Sequence, residues 1–163
     1  TGVRGATTYL QSSALTPYDF GTGDFTIECW MYHTSDTGNQ GMIGRWYPQI
    51  WVFGFPSANG ILTFKKAGEV VIVQSSSALS LNTWYHVAVC RASGTTRLFV
   101  DGVQQASASD TNNYTGTTAL TIGVADNGPS DKFDGYLDEV RITKGYARYT
   151  SNFSVPTSAF PTY

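Results

Sequence analysis

Acid–base cleavage of a glycosidic bond needs two carboxyl groups on one face, about 5–5.5 Å apart for retention or about 6.5–9.5 Å apart for inversion. This chain has little to build them from. Glutamate occurs only as Glu28, Glu69 and Glu139. In the run Thr26-Ile27-Glu28-Cys29-Trp30-Met31-Tyr32 there is no second acid at i+2 or i+4, the positions that share a face of an extended strand. Asp138 and Glu139 are adjacent, so a strand would send them to opposite faces. Hydrolysis is disfavoured. No nucleophile-elbow sequence is present. His86 is a base candidate by type, but its run, Trp84-Tyr85-His86-Val87-Ala88-Val89, makes it a strand residue satisfied by neighbouring polar groups. His33 reads as a loop residue rather than a ligand. No Cys/His cluster has zinc spacing, and no glycine-rich loop precedes a helix to cradle phosphate.

Recognition chemistry has better material. Sugars stack their C–H faces on Trp or Tyr, while Asn, Asp and Gln read hydroxyls. The run Trp46-Tyr47-Pro48-Gln49-Ile50-Trp51 is dense in such residues, as are Tyr32-His33 and Asn112-Asn113-Tyr114. Trp30 and Trp84 fall on strong strand patterns and are assigned to the core; Trp51 fits either place. Trp46, Tyr47 and Tyr114 stand beside turn residues and are expected to face solvent. The candidate ligand contacts are therefore Trp46, Tyr47, Tyr114, Asn112 and Asn113. Asp126 and Asn127 join them from the polar turn Asp126-Asn127-Gly128-Pro129-Ser130-Asp131, which is either an oxygen cluster or a plain turn.

Strands must position these groups. Short alternating runs recur every eight to twelve or so residues between turn signals, and no segment of useful length shows helical periodicity. That pattern predicts an all-β, two-sheet antiparallel sandwich. Expected strands are 6–11, 24–32, 41–45, 50–55, 61–65, 70–74, 84–91, 96–101, 119–123 and 135–143. Asn59-Gly60, Ser93-Gly94 and Asp101-Gly102 reverse the chain, because positive φ is cheap there. Segments 33–40 and 107–118 are expected loops, 144–150 one helical turn, and 153–161 an extended tail packed back on a sheet. Period-two alternation puts Cys29 with Phe25, Ile27 and Met31, and Cys90 with His86 and Ala88. Both are expected as unbridged, buried thiols, as suits folding in a reducing cytoplasm.

With 163 residues the chain reads as one domain, 1–163, large enough for a core without disulfides or metals. Charged residues make up 13 %, well under the usual ~25 %. The net charge is −2, with no run of like charge, so nucleic acid and anionic membranes have no electrostatic case. No apolar stretch approaches the ~20 residues of a membrane helix. No secretory leader opens the chain, which starts mid-theme at Thr1 and reads as a piece of a longer polypeptide. Sequons stand at Asn113-Tyr114-Thr115 and Asn152-Phe153-Ser154 and would matter only in a eukaryotic secretory pathway.

Phe25-Thr26-Ile27-Glu28-Cys29-Trp30, the 84–89 run, Leu98-Phe99-Val100-Asp101-Gly102, Phe133-Asp134-Gly135-Tyr136 and Leu137-Asp138-Glu139-Val140-Arg141-Ile142 together resemble the laminin-G-like branch of the concanavalin A-like lectin and glucanase superfamily. The resemblance runs from Gly23 to Pro161 and implies a jelly-roll sandwich. Its glucanase members carry Glu-x-Asp-x-(x)-Glu, which this chain lacks. A similar Asp-x-Val-Arg strand in that branch helps bind a structural calcium, which makes Asp138 a candidate calcium ligand. Alternation with Tyr136, Val140 and Ile142 points Asp138 toward the apolar side, where capping backbone amides or pairing with an arginine serves equally. The ending Arg141-Ile142-Thr143-Lys144-Gly145-Tyr146-Ala147-Arg148-Tyr149, then Asn152-Phe153 and Pro156-Thr157, resembles laminin-G-like domains of bacteriophage virion proteins. The resemblance implies a non-catalytic domain on a phage tail or appendage, made in the host cytoplasm and binding a bacterial surface polysaccharide. The alternative is a structural domain that contacts only other virion proteins.

Overall fold

The computed structural model describes residues 9–13, 16–46, 49–125 and 131–160. Among the described residues eleven strands form two antiparallel sheets. In chain order they are β1 (Leu10–Gln11), β2 (Phe25–His33), β3 (Gln40–Arg45), β4 (Trp51–Phe55), β5 (Thr63–Lys66), β6 (Val70–Gln74), β7 (Trp84–Ala92), β8 (Thr95–Val100), β9 (Val103–Ser109), β10 (Thr121–Ile122) and β11 (Gly135–Lys144). The six-stranded sheet runs β1-β10-β3-β4-β5-β6 and the five-stranded sheet β11-β2-β7-β8-β9. A short 3-10 turn at Thr16–Tyr18 is the only helix among the described residues, and none there is long and apolar enough to cross a membrane.

The all-β sandwich expected from alternation is what the chain forms. Phe25, Ile27, Cys29 and Met31 of β2 point inward with Val87 and Val89 of β7, against Trp51, Phe53 and Phe55 of β4 and Phe64 of β5. Aromatic stacking ties the sheets together: Phe20 lies 4.5 Å from Phe25 and 5.4 Å from Trp51. Trp51 is thus core. Cys29 sits in that interior, while Cys90 lies on the outer face with Ala88 and Phe99. Both thiols are buried and unbridged. Burial pushes the Cys90 thiol up to about 11, against a lesser opposing hydrogen bond to Thr26, and burial raises Cys29 further still. Neither is a nucleophile at neutral pH.

Four expectations need correction. Segment 103–109 is a strand, β9, although its Gln-, Ala- and Ser-rich sequence has weak β-propensity. It is an edge strand, where one open side tolerates small and polar residues. Segment 144–150 is not helical. His33 is not in a loop but ends β2, fully buried and stacked on Phe55 at 4.1 Å. Trp84 and Trp30 lie on the outer face of the five-stranded sheet, not between the sheets, since they share the parity of His86 and Glu28. Trp84 remains 45 % exposed.

The tail does pack back on a sheet. Tyr149 and Phe153 stack with centroids 3.5 Å apart and press on Phe99 and His86. They cover the outer face around Ala88 and Cys90.

Candidate carbohydrate groove and buried polar networks

On the outer face of the six-stranded sheet, alternation turns Val52 and Gly54 of β4 and Thr63 and Lys65 of β5 away from the core, paired in register. With Trp46, Gln40, Glu69 and Asp131 they line a small, open groove. Its floor is made by close backbone packing. A Cβ on Gly54 would lie 2.3 Å from the Gln40 carbonyl oxygen, and one on Gly41 would lie 2.3 Å from Ala125. Side chains at those positions would fill the floor and force the strands apart.

One wall carries the polar groups. The Lys65 ammonium stands 4.7 Å from the centre of the Trp46 ring and pairs with Glu69. Glu69 sits in the β5–β6 turn at φ 61°, a conformation costly for a non-glycine residue. Gln49 holds that turn, accepting from the Gly68 N–H at 3.0 Å and donating to Glu69 at 3.3 Å. On the other side, Gln40 donates to the Ser35 carbonyl at 2.6 Å and accepts from the Asp134 N–H at 2.8 Å. The Asp131 carbonyl accepts from the N–H groups of Gly41 and Ala125, both at 3.0 Å.

The structure divides the expected contacts. Trp46 lines the groove but is only 7 % exposed, packed with Val52 and Ala125. It offers an edge rather than an open platform. Tyr114 is a correction: it is 1 % exposed, because its ring closes the core against Phe25 and Phe64. Its hydroxyl donates to buried Asp110 at 2.9 Å. Asn112 is half-buried, donating to Asp110 and accepting from Lys66 at 2.6 Å, and so serves the fold. Asn113 is exposed, bonded to Thr115 and not part of the groove lining. Tyr47, Asp126 and Asn127 lie outside the described residues. Lys65, Glu69, Gln40 and Asn39 were missed. Alternation through Thr63-Phe64-Lys65 could have placed Lys65 outward, but nothing local marks the neighbouring strands that make it a wall.

Asp138 is also a correction. A bulge in β11, with Glu139 at φ 51°, shifts the register between Asp138 and Arg141. An extra residue flips the parity: Leu137, Val140 and Ile142 pack on the core, and Asp138 is exposed, its Oδ1 accepting from the Glu139 N–H at 2.9 Å. The burial that would demand a cation partner is absent. Among the described residues no three His, Cys, Asp or Glu side chains gather to hold a metal.

The acid on β2 has another role. Glu28 is fully buried beneath the tail. It accepts from Arg141 Nε at 2.8 Å and the Tyr149 hydroxyl at 2.8 Å, with His86 Nε2 at 3.2 Å and Arg148 Nε at 3.6 Å. Burial alone would raise its carboxyl, but hydrogen bonds from His86, Arg141 and Tyr149 outweigh burial and hold it below the usual range. A general acid needs the opposite shift.

His33 makes a pH prediction. Burial lowers its pKa, more than the Asp36 carboxylate at 3.4 Å raises it. The unfolded chain, with a histidine pKa near ~6.5, then takes up a proton before the native state does. Stability is full above about pH 6.5 and falls as pH drops toward the depressed native value. Urea midpoints measured from pH 7.5 to 5 should decline, and H33F should flatten that slope.

The family model of the concanavalin A-like lectin/glucanases superfamily, in its laminin-G form, matches residues 4–148. The chain belongs to this superfamily. Among solved structures, the laminin-G-like domain is similar to a Bacteroides ovatus protein described as a candidate carbohydrate-binding protein. The TM-score is 0.69 at 21 % identity over 86 % of this chain, which spans 42 % of that protein. It is also similar to domain 4 of an extracellular arabinanase from Geobacillus stearothermophilus in complex with arabinotriose (TM-score 0.61, 16 % identity, 78 % of this chain and 63 % of that one). A third is the carbohydrate-binding module 40 of a Ruminococcus gnavus sialidase bound to α2,3-sialyllactose (TM-score 0.58, 16 % identity, 79 % of each chain). A search of the curated proteins gave no match. At these identities the likeness is one of fold.

Proposed function

We propose that this laminin-G-like domain binds carbohydrate without cleaving it, through the groove on the six-stranded sheet. The observation that carries the reading is the groove wall: an indole edge, an ammonium and a carboxylate side by side over a backbone floor. Such walls suit sugars, whose apolar faces and hydroxyls alternate. The sugar-bound relatives of like fold support the same reading. Non-catalytic action is supported by Glu28, which is ionised, fully hydrogen-bonded and sealed under the tail. The setting we propose is a bacteriophage tail or appendage recognising a bacterial surface polysaccharide, with several weak copies adding avidity of about 10²–10⁴.

A microbial glycan array with bead-multimerised domain tests this. K65A should weaken each bound glycan roughly tenfold or more, since a hydrogen bond to a charged group is worth about 1.5–3 kcal/mol. Isothermal titration of the responding glycan checks the size. A folded wild-type domain that binds nothing sinks the reading.

A further inference from the structure

Among the described residues, the tail leaves part of the five-stranded sheet's outer face uncovered. There Tyr136 of β11, Tyr32 of β2 and Trp84 of β7 lie directly opposite one another across three neighbouring strands. Ring centroids are 5.8 and 5.5 Å apart, with planes inclined by 63° and 52°. Trp84 is 45 % exposed, and Tyr32 and Tyr136 are partly so. The next row holds Trp30 and exposed Asp138 in register. Cross-strand aromatic pairs stabilise sheets, but that contact does not require solvent. The tail's own aromatics seal the adjoining region of the same face.

We propose that Tyr136, Tyr32, Trp84 and Asp138 form a second carbohydrate-contact site, on the opposite sheet from the groove, for neutral or amino sugars. The inclined rings offer partly open aromatic surface to C–H faces, and the Tyr32 hydroxyl and the indole N–H can donate to ring and hydroxyl oxygens. Asp138 spends Oδ1 on its own strand, which leaves Oδ2 to accept from sugar hydroxyls or an amino group and disfavours anionic sugars. The row is too small for a stable protein partner, which would take about 20–30 residues a side. It is bounded by the tail, where Phe160 lies 3.7 Å from the Arg141 guanidinium. This site stands independently of the groove.

The test compares wild type, W84A, W84F, Y136A and K65A on one microbial glycan array spanning neutral, amino and acidic sugars, with responders titrated. The expected result is a set of neutral or amino glycans still bound by K65A. Those glycans should be weakened tenfold or more by W84A and Y136A, and partly restored in W84F. If every glycan lost is lost only with K65A, the second site is overturned and the groove stands. If no glycan binds wild type, both fall. A Trp84-dependent dimer in sedimentation, without glycan binding, overturns the site in favour of a second copy. W84F keeps the test valid should W84A unfold.

Discussion

Replacing Glu28 with alanine should destabilise the domain by about 3–5 kcal/mol, the usual cost of removing one partner of a buried charged pair. Arg141, Tyr149 and His86 all converge on its carboxylate, and Arg141 and Tyr149 lose their acceptor at once. The tail should loosen with them, because Tyr149 is both a donor to Glu28 and the ring on which Phe153 stacks. Guanidinium midpoints measure the loss, and limited proteolysis after Thr143 reports the tail. E28Q keeps the shape and one acceptor, and should recover part of the stability. A midpoint for E28A that corresponds to less than 1 kcal/mol would refute the network's role. The acid limb follows with the same sign. Because the native carboxyl titrates below its ordinary value of 4.5, its contribution is complete above that pH. It is lost as pH falls through the lowered native value.

The second large effect centres on Arg91. Its guanidinium is fully buried at one end of the sandwich, donating to the carbonyls of Gly23 (2.9 and 2.6 Å), Gly21 (2.7 Å) and Asn112 (2.8 Å). The faces of Phe25 and Tyr114 flank it at 5.1 and 4.9 Å, and Asp110 Oδ2 lies 3.8 Å away. Burial lowers its pKa, with Asp110 opposing. Asp110 in turn accepts from Thr96, Asn112 and Tyr114. Burial would raise the Asp110 carboxyl, but the hydrogen bonds from Thr96 and Asn112 prevail and hold it below the usual range.

R91A should therefore cost about 3–5 kcal/mol. R91K is informative because an ammonium cannot fork to three carbonyls. Each unmet buried carbonyl costs about 1–3 kcal/mol, so R91K should remain clearly below wild type. Hydrogen exchange at Tyr114, whose N–H donates to the Gly21 carbonyl at 3.0 Å, should accelerate in both. Unchanged exchange with an unchanged midpoint would show that the cluster does not clamp these loops.

These two networks show where sequence reading stops. Glu28 and Arg141 are 113 residues apart, and Arg91 and Gly23 are 68 apart. No local pattern couples them. Arg91 was legible only as a strand residue, and Tyr114 looked solvent-facing because its neighbours are turn formers.

What the sequence determined by itself is the alternation that makes each strand two-faced. That property is local, set by the period-two geometry of an extended backbone. It grouped Phe25, Ile27, Cys29 and Met31 on one face of their strand, set Cys90 with His86 and Ala88 opposite Val87 and Val89, and so gave the sandwich. What only the tertiary structure decided is whatever depends on strand neighbours or on a parity break. The bulge at Glu139 moved Asp138 out to solvent. The reach of the tail sealed Glu28 but left Trp84 open. The joining of β3, β4 and β5 set Lys65 beside Trp46 over a floor of glycines. A one-residue insertion or a strand's neighbour leaves no periodic trace, because its energy is collected in contacts between segments far apart in the chain.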